Sequence, residues 1–294
     1  MFPFAKARAM SICLSATLAA AFSVATSNAG TALTYDSKDA PVVEIPTAPV
    51  VRESRGMITL EGPSGMFLNP TSTTLSQGVF SYGYCFILTN QETDVLGHAM
   101  FMSYGVRDWL EVGLVGNVVN FRTDMGELPE GSYGTVGPMA RVRLVRDRSW
   151  WPEISLGAYA KFGTDKFDSQ NVYIAASKTL PIDENGFLKS ITFQGGFRES
   201  WIEMPNRNTN RFYGGAEVRL PGNLYVIGEV SQFAGNKDIF TPWAAGIQWR
   251  GRKFGVTAAI VQSGDDDPPS IYLGIGGGLG AEPVRTSTRP ASPP

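Results

Sequence analysis

The chain has 294 residues, a formal net charge of −2, 18% charged residues and 33 glycines. That length holds one large domain or two ordinary ones, and the charge gives no electrostatic basis for binding nucleic acid. Low charge with many glycines and aromatics points to an antiparallel β protein, and above all to a membrane barrel, whose alternating apolar and polar residues average to neutral hydropathy.

In chain order, Lys6 and Arg8 precede the apolar run SICLSATLAAAFSVAT, and a small-residue cleavage site ends at Ala29. Residues 1–29 therefore read as a cleaved signal peptide. The apolar part is short and rich in Ala and Ser, which disfavours an uncleaved membrane helix. Cys13 leaves with this segment, so Cys85 stands alone and the mature chain forms no internal disulfide. Residues 30–56 are Pro-punctuated without a lasting period and read as a disordered or extended periplasmic linker. Residues 281–294 form a similar disordered tail. No later run is long and apolar enough for a membrane helix, so an integral protein must span as a closed barrel over 57–280.

From 77 onward the dominant signal is period two. About twelve strands are expected, at 77–89, 96–104, 108–121, 134–145, 152–163, 170–180, 188–199, 211–220, 223–233, 240–250, 253–262 and 270–279. Most approach the roughly 9–11 residues that a tilted strand needs to cross a bilayer. In YGVRDWLEVGLVGNVVNF, Leu110, Val112, Leu114 and Val118 share one face. Trp109, Glu111, Gly113, Val115 and Asn117 share the other. Tyr104–Gly105–Val106 reads as a tight turn, with Gly105 free to take positive φ. The same alternation places Arg141, Arg143, Lys161, Arg198, Arg211, Glu217, Arg219 and Glu229 on the mixed face. A Lys or Arg at mid-depth on the lipid side costs roughly 2–4 kcal/mol, so these side chains are expected to line the lumen. They either border a polar passage or pair across it, and ion pairing favours a narrow or plugged lumen. Trp109, Phe121, Trp151, Trp243 and Trp249 fall near strand ends, where barrels keep aromatic girdles at the membrane interface.

Links of alternating length support the same architecture. GVR, Pro221–Gly222 and Gly251–Arg252 are tight, whereas RTDMGELPEGSY, WIEMPNRNTN and SGDDDPP are longer and fall on the opposite side. Short turns belong in the periplasm, and an even strand count returns both termini there. PIDENGF is long for such a turn. A soluble β-sandwich or secreted barrel would also alternate, but an apolar face that persists through nearly every strand disfavours it.

Chemical sites are scarce. His98 is the sole histidine, so a Ser–His–Asp hydrolase would depend on it, and Cys/His metal sites are excluded by number. Asp265–Asp267 lack the spacing of a calcium loop and read as a solvated acidic loop. Gly276, Gly278 and Ala281 match a dinucleotide fingerprint, but a Pro-rich tail follows instead of a helix, so these glycines belong to the last strand. No catalytic residue, cofactor or metal is expected.

Two stretches resemble a known family. GMFLNPTSTTLSQG, through Gly65, Met66, Pro70, Thr71, Leu75 and Gly78, resembles the opening motif of YjbH-type outer-membrane proteins associated with exopolysaccharide biosynthesis. YGVRDWLEVGL, through Tyr104, Gly105, Val106, Asp108, Glu111 and Gly113, resembles that family's Tyr–Gly–Val–x–Asp hairpin. The resemblance implies a non-enzymatic outer-membrane β-barrel of a Gram-negative-type envelope, serving export or surface assembly of exopolysaccharide. Its expected partners are outer-membrane lipid, the barrel-assembly machinery, and polysaccharide or periplasmic export proteins, with the barrel itself a monomer. A general porin-like channel for small solutes, a barrel hydrolase and a structural or adhesin-like barrel are the competing readings.

Overall fold

A computed structural model describes residues 65–88, 96–121, 131–148, 150–163, 168–202, 207–233, 241–251, 253–262 and 269–280. The expected signal peptide, linker, C-terminal tail and Asp265–Asp267 lie outside these residues, as do 57–64 of the expected barrel segment. Among the described residues, twelve strands form one closed antiparallel barrel. They are β1 (Phe80–Leu88), β2 (Leu96–Arg107), β3 (Leu110–Phe121), β4 (Gly131–Val145), β5 (Glu153–Gly163) and β6 (Ser169–Pro181). The second half comprises β7 (Ser190–Ile202), β8 (Arg207–Arg219), β9 (Leu224–Phe233), β10 (Trp243–Arg250), β11 (Phe254–Gln262) and β12 (Ser270–Leu279). Each strand pairs with its sequence neighbours, and β1 closes on β12 from Phe80↔Leu279 to Leu88↔Ile271. Closure leaves no edge strand with unpaired backbone groups.

The alternation decides which face each residue occupies. In β9, Tyr225, Ile227, Glu229 and Ser231 are buried, while Val226 and Val230 are exposed. Outward positions elsewhere are similarly apolar, including Met100, Met102, Leu114, Val136, Phe193, Ile247, Ile260 and Ile275. Among the described residues, the outward charges within the strands sit toward their ends. Arg107 ends β2, Lys178 lies near the end of β6, and Glu199 lies near the end of β7. A neutral apolar belt around a closed barrel with a polar interior is the surface that hydrocarbon requires, and this is a transmembrane β-barrel.

Two mouths can be told apart. The near mouth is where β1 begins and β12 ends; the far mouth lies opposite. One expected turn is displaced. Tyr104–Gly105–Val106 continues β2 to Arg107, with a register irregularity between Gly105 and Arg107, and the reversal falls at Asp108–Trp109. Gly105 is not among the residues of positive φ. Glycine is required there for space, because a Cβ would overlap the Ser76 carbonyl oxygen. Gly276 and Gly278 lie within β12, as their neighbours suggested.

Candidate functional site

The interior is not an empty tube. Gly65–Gly78 precedes β1 and lies within the lumen. Met66, Phe67, Asn69 and Ser72 have no exposed surface, and Leu68, Thr71, Thr74 and Leu75 are buried. Pro70 and the neighbouring small hydroxyl residues suit an irregular segment better than a strand, since Pro lacks the N–H of a sheet ladder. Gly65 bridges Pro70 in antiparallel fashion, and Met66 N donates to Asn69 O at 3.0 Å, closing a tight tip. From Pro70 the chain runs to the near mouth, where Gly78 takes φ +80° and Gly78 N donates to Gly105 O at 2.8 Å. The described segment is thus a tight hairpin turn with its trailing arm, held inside its own barrel.

An irregular backbone away from bulk water must find partners, and the wall supplies them. Glu229 holds the tip. Its Oε1 accepts from Phe67 N at 2.6 Å and Leu68 N at 2.5 Å, and its Oε2 accepts from Asn69 Nδ2 at 3.0 Å. Asn69 Nδ2 also reaches Ser231 Oγ at 2.7 Å. Arg198 Nη1 donates to Leu68 O at 3.4 Å. Along the stem, Arg141 Nη1 donates to Thr73 O at 2.5 Å, and Leu75 N donates to Glu111 Oε2 at 3.0 Å. Ser72 and Ser177 share a hydroxyl bond at 2.5 Å. At the near mouth, Thr74 donates to Asp108 O and Gln77 N to Asp108 Oδ1, both at 3.0 Å. Charge-assisted bonds of this kind are roughly twice as strong as neutral ones.

The lumen-lining candidates Glu111, Arg141, Arg143, Lys161, Arg198, Glu217 and Glu229 are all buried and point inward; Arg219 is half-buried on the same face. Four of them, Glu111, Arg141, Arg198 and Glu229, bind the hairpin. The others bind the wall itself. Arg143 lies 3.6 Å from Glu153, and Arg250 donates to Glu217 at 2.9 Å while stacking 3.7 Å over the Tyr225 ring. Arg219 reaches Glu184 at 3.7 Å near the rim, and Lys161 sits 5.8 Å over the Tyr159 ring.

Of the interface aromatics, Trp249 faces outward and packs edge-on against Phe254 at 5.3 Å. Trp109 and Trp151 stand exposed on near-mouth links, and Trp243 is half-buried at the far mouth. Phe121 ends β3, and its side chain lies outside the described set. His98 faces outward, hydrogen-bonded through Nδ1 to the Tyr84 hydroxyl at 2.5 Å. Cys85 is free and buried. Among the described residues no cluster of His, Cys, Asp and Glu could hold a metal.

Alternation along the strands places Ser231 and Arg250 on the mixed face, but sequence reasoning did not single out Asn69, Ser72 or Ser177, nor that the segment before the first strand lies inside the barrel. The signal for it was present in Gly65–Gly78, which has no charge and no sheet period yet carries Met66, Phe67 and Leu68 in need of burial.

No family model matches this chain, and none of the curated proteins does. Among solved structures it is similar to an outer membrane channel of Pseudomonas putida F1, at 13% identity and TM-score 0.45, over 72% of this chain and 100% of that one. Outer membrane protein Omp33 of Acinetobacter baumannii is similar at 13% identity and TM-score 0.47, over 70% and 99%. The translocator domain of autotransporter NalP of Neisseria meningitidis is similar at 12% identity and TM-score 0.42, over 70% and 89%. The barrel assignment stands on the strand pairing and the apolar belt themselves.

Proposed function

We propose that this chain is an outer-membrane channel held shut by its own Gly65–Gly78 hairpin, serving export or surface assembly of exopolysaccharide. The observation that carries the closed state is Glu229, whose carboxylate receives the backbone of the hairpin tip inside the lumen. A porin for small solutes would keep that space for water. The segment leaves the lumen by the near mouth, where the links between strands run from the two residues between Arg107 and Leu110 to the eight of 182–189. Short links suit the periplasmic side, which supports placing the near mouth there.

The cargo reading is supported by the resemblance of Gly65–Gly78 to the opening motif of the exopolysaccharide-associated barrels. The reading is non-enzymatic. His98, the sole histidine, lies on the outward face against Tyr84, away from the serines and carboxylates of the lumen. The full chain in a planar bilayer is expected to be nearly silent, and the Glu229→Ala chain to conduct. Stable conductance from the unaltered chain would overturn the closed reading. Deleting the gene is expected to reduce surface polysaccharide, and an unchanged amount would overturn the cargo reading.

A further inference from the structure

We infer that the outward face around β1 and β2 holds one phosphate-bearing lipid of the surrounding membrane in a defined seat. An acyl chain lies in a groove of the wall, and an oxygen of the head-group region meets His98. This uses only the barrel and its apolar belt, and is independent of whether the lumen is closed.

Strand pairing lays the outward side chains in rows across the wall. One row runs Phe254, Gly277, Tyr82, Met102 and Leu114. The next runs Ile275, Tyr84, Met100, Gly116 and Val136. Each row holds one position without a side chain among large ones, Gly277 in the first and Gly116 in the second. The hydroxyl end of Tyr82 lies over Gly277, where a Cβ would stand 2.7 Å from it. The wall is left concave here, as a groove of about 420 Å³ that takes in both rows. Its floor includes Gly83 and Gly276, which pair across the β1–β12 seam and offer it only backbone. The volume falls within the roughly 300–1,000 Å³ of small-molecule sites. Its lining side chains are aliphatic, aromatic or thioether, and none is charged.

The place of the groove decides its occupant. It lies in the apolar belt, so whatever fills it comes from the hydrocarbon phase. A second barrel presents a convex wall, which bridges a concave groove and leaves it unfilled. An acyl chain is narrow and flexible enough to lie within it and gain the dispersion contacts that a void forfeits. One edge of the groove is polar. Tyr84 lines it, and its hydroxyl meets Nδ1 of the partly exposed His98 at 2.5 Å. With Tyr84 donating, Nε2 carries the imidazole proton and is itself a donor. Hydrocarbon gives such a donor no acceptor, whereas an ester or phosphate oxygen of a lipid does. One step further toward the far mouth the outward face stays polar, with Ser132 donating to Asn120 Oδ1 at 2.5 Å. Groove and donor together select an amphiphile over an alkane.

The test titrates the full chain, purified in a non-ionic detergent, with dimyristoylphosphatidylglycerol and counts bound lipid by native mass spectrometry. The unaltered chain is expected to keep one lipid under activation that strips the detergent. Met100→Trp with Val136→Trp fills the groove and is expected to weaken binding at least about tenfold. His98→Phe leaves the groove intact and is expected to weaken it about fivefold. Val226→Trp adds bulk to the belt on β9, away from the groove, and is expected to leave binding unchanged. Heat-dependent gel mobility checks that each barrel has folded; if the groove-filling variant does not fold, His98→Phe and Tyr84→Phe serve in its place. No retained lipid, equal retention in the groove or His98 variants and in Val226→Trp, or a dimer in place of the lipid-bound monomer overturns the inference.

Discussion

Two arcs of the barrel wall face the same hairpin and hold it by different means. On β3–β10 the inward positions carry Glu111, Arg141, Arg198 and Glu229 against its backbone. On β11, β12, β1 and β2 the inward side chains are small or apolar, including Ser81, Cys85, Ala99, Phe101, Ala259 and Val261. Among the described residues, that second arc places no charge inward between its strand ends. It contains the seam where the first and last strands meet, and it offers the hairpin a ring contact at Tyr272 and, at the near mouth, the Gly105 carbonyl oxygen for Gly78 N. Part of the inward charge meets the irregular backbone of the hairpin, and part pairs within the wall, as Arg143 does with Glu153 and Arg250 with Glu217.

The largest expected effect comes from breaking the charged arc at its centre. Glu229→Ala leaves two backbone N–H groups and the Asn69 amide without their acceptor. About 3–5 kcal/mol of stability should be lost in denaturant unfolding of the vesicle-inserted barrel, with conduction appearing at the same time. Phe67→Ala tests the apolar arc, and about 3 kcal/mol is expected from the lost ring and the cavity beside Tyr272. Conduction should rise less than in Glu229→Ala, because the backbone bonds remain. Arg141→Gln removes the guanidinium between Thr73 O and Tyr173, an expected cost of about 1.5–3 kcal/mol by the same unfolding assay. Ser177→Ala deletes a single neutral bond to Ser72 and should cost about 1 kcal/mol, with little change in conductance. If Phe67→Ala opened the lumen as fully as Glu229→Ala, the division of labour between the arcs would be wrong.

The strands were legible because each needs only its own alternation. Period two sets Glu111 inward and Leu114 outward without reference to any partner, and the same rule gave the faces of Arg141 and Glu229. The turn at Gly105 was misplaced because a third body intervened. Gly105 looked like a turn glycine, but it is a strand residue kept small by the hairpin stem at Ser76. The hairpin was hidden for the same reason. Its partners lie far away in sequence, as Leu68 does from Glu229, separated by 161 residues. No local period reports such a contact. The mixed signs of the lumenal charges hinted at a filled interior, yet they did not reveal that the partner would be backbone from the chain's own N-terminal side.

The claim that Gly65–Gly78 closes the lumen can be tested by locking it. Ser72 and Ser177 bring their Oγ atoms within 2.5 Å, so cysteines at both positions are placed to form a bridge between hairpin and wall. The measurement is planar-bilayer conductance of a full chain carrying Ser72→Cys, Ser177→Cys, Cys85→Ser and Glu229→Ala, before and after reduction. Closure by the hairpin requires near silence while the bridge is intact and stable conductance once it is reduced. The same conductance in both states would contradict it.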